Sequence, residues 1–135
     1  MKIVVCLDEN GGMLFNNRRQ SRDIEVLKDI FADLNGEKLH IAPFSVSLFE
    51  NFADSVIIDD DFLGNSQNDD VCFVENSRLS QIADKITTLI VYNWNRKYPA
   101  DFVCDIDFSA FSLVSESEFE GKSHPEITKQ VFMRR

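Results

Sequence analysis

The sequence predicts one α/β domain over residues 1–135: a mainly parallel sheet with helices on both faces and antiparallel strands at its C-terminal end. Short β-branched runs alternate with helix-spaced segments through the first two thirds of the chain, the pattern of a parallel sheet with helical crossovers. The last third strings strands together with no helix between them, so antiparallel pairing should finish the sheet. A length of 135 residues with 44% hydrophobic content and twelve phenylalanines suits a single core.

Lys2 to Leu7 is a β-branched run that stops at Asp8-Glu9-Asn10-Gly11-Gly12, a buried strand entering a turn. From Ser21 the period changes: Ile24, Leu27, Phe31 and Leu34 recur at helical spacing, with Ser21 as N-cap and Asn35-Gly36 as the stop. A strand at Lys38 to Ala42, a short helix from Ser45 to Phe52 and a strand at Ser55 to Ile58 come next. Asp59 to Asp70 is polar and turn-rich, hence a surface loop. Val71 to Val74 reads as a strand, Ser77 to Asp84 as a short helix capped by Asn76, and Ile86 to Tyr92 as a long apolar strand. Phe102 to Ile106, Phe111 to Val114 and Ile127 to Met133 complete the strands.

Twenty-three acidic against fourteen basic residues give a formal charge of -9, which repels phosphate backbones and anionic lipid. Neither nucleic acid nor membrane is an expected partner. The N-terminal apolar run is broken at Asp8 and Glu9, too early for a signal peptide, and no run approaches the ~20 residues of a membrane helix. Cys6, Cys72 and Cys104 lack metal-ligand or framework spacing and read as buried free thiols of a cytoplasmic protein.

Metal and nucleophile motifs are not apparent. Asp59, Asp61, Gly64 and Asp70 imitate part of a calcium loop, but Leu63 stands at its fifth position and the last position lacks the bidentate glutamate. His40 and His124 are isolated, a strand and a turn histidine, and two histidines cannot build the two-metal site of a metal-dependent ribonuclease. No Gly-x-Ser-x-Gly motif or recognisable nucleophile triad stands out. Arg18, Arg19 and Arg22 form the dense basic cluster of an acidic protein, suited to a phosphate or carboxylate ligand or to plain solvation. Around Trp94, the string Asn93 to Tyr98 offers aromatic and cationic groups to a partner, or packs Trp94 on Arg96 and Lys97 stems.

Over nearly its whole length the chain resembles dihydrofolate reductase. The strings that carry the resemblance are KIVVCL followed by Gly11-Gly12-Met13, the helix SRDIEVLKDIF, Ala100-Asp101 before Phe102 to Asp107, Phe111-Ser112-Leu113-Val114-Ser115, and the ending ITKQVFMRR. The resemblance places Asp23 where that family keeps the acidic residue of its folate pocket. A carboxylate there pairs with a pterin-like amidine and supports its protonation. Arg18, Arg19 and Arg22 border the same implied pocket as ligand-binding candidates.

Departures fall where the family holds its cofactor. Its phosphate-binding turns use glycines so that backbone N–H groups can approach an anion. This chain has Ala42-Pro43-Phe44-Ser45 at one such turn and Glu75-Asn76-Ser77 at the other; Pro43 has no N–H, and Glu75 brings a negative charge. The resemblance therefore implies a non-catalytic or repurposed binding module with no expected cofactor, its cleft filled by side chains such as Phe15 or Phe44. The alternative is an NADPH-dependent reductase of a pterin, flavin-like or pyrimidine substrate with atypical cofactor contacts. The ligand is an unidentified small molecule or protein.

Overall fold

The computed structural model describes all 135 residues, Met1–Arg135. Ten strands, two α-helices and several 3-10 turns follow in order: β1 (Lys2–Leu7), β2 (Gly12–Phe15), β3 (Arg18–Arg19), α1 (Ile24–Leu34), β4 (Leu39–Ile41), β5 (Val56–Ile58), α2 (Phe62–Asn65), β6 (Val71–Phe73), β7 (Thr88–Asn93), β8 (Phe102–Val103), β9 (Phe111–Phe119) and β10 (Ile127–Arg134). Seven strands form one sheet in the order β5-β4-β6-β1-β7-β10-β9. The first five run parallel, and β10 and β9 close the sheet antiparallel, as the helix-free C-terminal third predicts.

Alternation along β1 splits the core between the two faces of the sheet. Ile3, Val5 and Leu7 face a cluster with Leu79, Ile86, Leu89 and Val91, roofed by α2, the 3-10 turn at Ser80–Lys85 and the small sheet described below. Val4 faces the other cluster, with Val26, Leu27, Ile30 and Leu34 of α1. Burying those four helix side chains contributes roughly 6–12 kcal/mol before entropy is counted. Helices do cover both faces, but α1 is the long one and the opposite cover is short turns.

Several local readings change. The cap of α1 is Asp23, whose carboxylate accepts from the Glu25 amide, whereas Ser21 lies two residues further out. Asn35 ends the helix with a left-handed backbone, as its type favours. Ser45 to Phe52 contains 3-10 turns at Pro43–Ser45 and Glu50–Ser55 in place of a helix. The turn at Ser80–Lys85 takes no cap from Asn76; Asp105 accepts from the Leu79 and Ser80 amides at 2.7 and 3.2 Å. Cys72 is buried, while Cys6 and Cys104 are half-buried, and all three are free.

The segment after β1 holds a hairpin. β2 and β3 pair through Phe15↔Arg18, with Asn16 and Asn17 both at positive φ, 51° and 59°. That backbone matches the twist of a tight hairpin, and asparagine tolerates it. β8 joins β2 in this separate three-stranded sheet, so Phe102 to Ile106 does not extend the main one.

Candidate functional site

The parallel strands β1, β6 and β7 end together, and the crevice beyond the carboxyl ends of such strands is where open α/β sheets bind ligands. Here the crevice is lined by Cys6, Met13, Arg19, Ser21, Glu75 and Trp94, among others. Its interior amounts to ≈ 20 Å³, room for about one ordered water. Neither Phe15 nor Phe44 fills it: Phe15 is exposed, and Phe44 packs under the Arg19 guanidinium at 5.8 Å.

The β2–β3 hairpin decides where the arginines go. Adjacent strand residues point to opposite sides, so Arg18 is exposed and Arg19 turns inward. Arg19 meets Glu75 in a two-pronged pair, Nε to Oε2 at 2.8 Å and Nη2 to Oε1 at 3.0 Å. Ser45 Oγ donates to the same Glu75 Oε1 at 2.8 Å. This pair straps the hairpin across the cleft. The Glu75 carboxylate raises the Arg19 guanidinium above its already high ordinary value, so Arg19 stays charged throughout the folded range. Arg22 is exposed at the rim.

Asp23 is buried, with a side chain 0% exposed, and its acceptors are fully engaged from inside the protein. Oδ1 accepts from the Glu25 and Lys122 amides, each at 3.0 Å. Oδ2 accepts from the Ser123 amide at 2.9 Å, Ser123 Oγ at 3.2 Å and His124 Nδ1 at 3.0 Å. Burial works against ionisation, but the Lys122 amide, the His124 ring and the Ser123 and Glu25 amides outweigh it. They hold the carboxyl well below the usual carboxylate range. Gly121 makes the approach possible: a Cβ there would lie 2.5 Å from Asp23 Oδ2 and 2.9 Å from the His124 carbonyl oxygen.

His124 belongs to this site although its sequence position gave no hint of it. With an ionised carboxylate on Nδ1, that nitrogen carries the proton, leaving Nε2 to accept. Ser21 Oγ and Tyr98 OH both reach Nε2, at 3.0 and 3.1 Å. Trp94 is buried and stacks on the imidazole, with ring centroids 4.5 Å apart. The reading of His124 as an isolated turn residue is therefore corrected: Ser21, His124 and Asp23 form a continuous hydrogen-bonded chain.

A second buried carboxylate, Asp8, braces the wall. It accepts from the Gly12, Asn10 and Tyr98 amides and from Gln20 Nε2 at 2.7, 2.8, 3.2 and 3.0 Å. Burial opposes its ionisation, and these donors more than offset it, leaving the carboxyl below its ordinary value. Outside Asp23 lies an open groove of ≈ 610 Å³ flanked by Arg22, Asn51 and Lys122, which shares Leu27 and Leu48 with the cleft.

Neither a protein-family model nor a curated protein sequence matches the chain. Among solved structures it is similar to dihydrofolate reductase from Enterococcus faecalis, complexed with NADP(H) and RAB-propyl. The TM-score is 0.67 over 99% of this chain and 95% of that one, at 11% sequence identity. The chain has the dihydrofolate reductase fold. At this identity the likeness shows the fold alone, and side-chain chemistry has to be argued from the residues themselves.

Proposed function

We propose that this chain is a repurposed binding module on the dihydrofolate reductase fold, without the nicotinamide-dependent reduction that the fold serves elsewhere. The observation that carries the proposal is the internal saturation of Asp23. A pterin-like amidine needs two free carboxylate acceptors, and both oxygens here already hold the Glu25, Lys122, Ser123 and His124 donors.

The residues present do not fit NADPH either. Where the resemblance calls for glycine amides facing a pyrophosphate, Glu75 presents a carboxylate engaged by Arg19 and Ser45. An incoming phosphate would have to displace that carboxylate from its only guanidinium and then sit beside it. Entry of the ligand found in the Enterococcus faecalis enzyme would thus break an ion pair and gain a repulsion.

Calorimetric titration of the folded protein with NADPH, alone and then with dihydrofolate, tests the proposal. The expected result is no saturable heat with either ligand up to millimolar concentration. Saturable NADPH binding weakened by Arg19→Ala would overturn it and favour the reductase alternative, with the three arginines as nucleotide contacts.

A further inference from the structure

We propose that Ser21, His124 and Asp23 constitute a nucleophilic triad in which Ser21 takes the acyl group of a short-chain carboxylic ester. This goes beyond the binding-module reading, since it assigns a reaction to the cleft that needs no nucleotide. A triad is recognised by atoms and roles, not by sequence order. Here Asp23 Oδ2 holds His124 Nδ1 at 3.0 Å, and His124 Nε2 faces Ser21 Oγ at 3.0 Å. Asp23, bonded to Nδ1, fixes the tautomer that leaves Nε2 free to accept. Trp94 stacking on the ring and the Tyr98 hydroxyl fix its plane.

The backbone around Ser21 suits the same chemistry. Ser21 stands between β3 and α1, at a strand-to-helix turn. The amides of Arg22 and Asp23 donate to no protein acceptor. An N–H on the residue after the nucleophile, at a helix start, is the kind of donor that stabilises a developing oxyanion. Ser21 and Arg22 both line the small cleft, whose ≈ 20 Å³ interior disfavours all but the smallest acyl groups. The adjoining ≈ 610 Å³ groove, which Arg22 also lines, leaves space for the alcohol portion.

The step balances without another reagent except water. Ser21 Oγ bonds to the carbonyl carbon as its proton passes to His124 Nε2. The carbon–oxygen bond to the alcohol then breaks, and Nε2 returns the proton to the departing oxygen. Water, deprotonated by the same nitrogen, hydrolyses the acyl-serine to the carboxylic acid and restores Ser21. Asp23 touches no reacting atom and is a positioning residue.

The test is incubation of the full chain with p-nitrophenyl acetate and no nucleotide, following p-nitrophenolate release and mapping acetyl groups by peptide mass spectrometry. The expected result is an initial burst with acetyl on Ser21, lost in Ser21→Ala, a change that removes one hydroxyl and leaves the fold standing. His124→Gln should slow acetylation about 10²–10⁴-fold. Absence of acetyl on Ser21 in protein shown to be folded, an unchanged rate in Ser21→Ala, or acetyl mapping to Tyr98 instead would overturn the assignment. Because no NADPH is present, these outcomes are independent of the calorimetric test.

Discussion

Replacing Asp23 with asparagine changes a single oxygen for an amide, and the surrounding bonds say what that should cost. Asparagine caps helices as well as aspartate does, so with its oxygen toward the Glu25 and Lys122 amides that half of the site is kept. The new NH₂ then faces the three donors on Oδ2. Ser123 Oγ can turn to accept, and His124 can shift its proton to Nε2. The Ser123 amide cannot reverse, so one part-buried N–H loses its acceptor, a loss of about 1–2 kcal/mol. Weakening the remaining charge-assisted bonds brings the total to roughly 2–4 kcal/mol. For a domain of this size that is a melting temperature lower by roughly 6–15 °C.

The pH dependence gives the same reasoning a second, independent reading. Asp23 has a folded-state value below the ordinary 3.8, so its contribution is complete above the unfolded value and is lost as pH falls toward the folded one. Wild type and Asp23→Asn should therefore differ fully at pH 7 and converge below about pH 4. Thermal or urea unfolding at pH 7, 5, 4 and 3 measures the gap. A gap under 1 °C at pH 7, or one that stays constant to pH 3, would refute the view that the ionised carboxylate organises the 121–124 turn.

Two further perturbations probe the strap and the turn. Arg19→Ala leaves Glu75, whose side chain is 8% exposed, with only Ser45 Oγ, and should cost about 2–3 kcal/mol after allowance for the 19% exposure of Arg19. The double change to Arg19→Leu and Glu75→Leu should recover most of that in urea titrations, and equal losses in single and double variants would contradict it. Gly121→Ala forces a methyl to within 2.5 Å of a carboxylate that five donors hold in place. We expect a loss of roughly 1–3 kcal/mol with the Asp23–His124 bond perturbed in NMR, whereas wild-type stability would mean the turn yields freely.

What could be read in the sequence divides along physical lines. β1, α1 and β7 were legible because each buries most of an apolar set, as a short run in the strands and at helical spacing in α1, and such burial leaves its mark in the residue order. The hairpin at Asn16-Asn17 was missed although a signal existed: two residues tolerant of positive φ between paired strands. Ser45 to Phe52 looked helical because one helical turn and a 3-10 turn share nearly the same spacing. Asp23 was found through the family resemblance, but not its partners. His124 lies 101 residues away and Ser21 bonds to it across 103, and polar contacts at such separations leave no periodic trace.

The same distinction separates what builds the fold from what lines the crevice. Strand order and the two core clusters depend on apolar residues at alternating positions, and any chain that supplies them builds the crevice at the same sheet end. The crevice walls come from β1, the β2–β3 hairpin and the segment that leads from it into α1, α1 itself and the ends of β6 and β7, with the turn between β9 and β10 bonded to Asp23 from outside the crevice. In this chain the hairpin sends Arg19 across to Glu75, and the turn sends His124 in to Asp23. Arg19 and Asp23 are thereby each committed to a partner fixed by the chain itself. On the proposed reading a ligand leaves both pairs intact and uses the small space at Ser21 and the open groove beside Arg22 and Lys122.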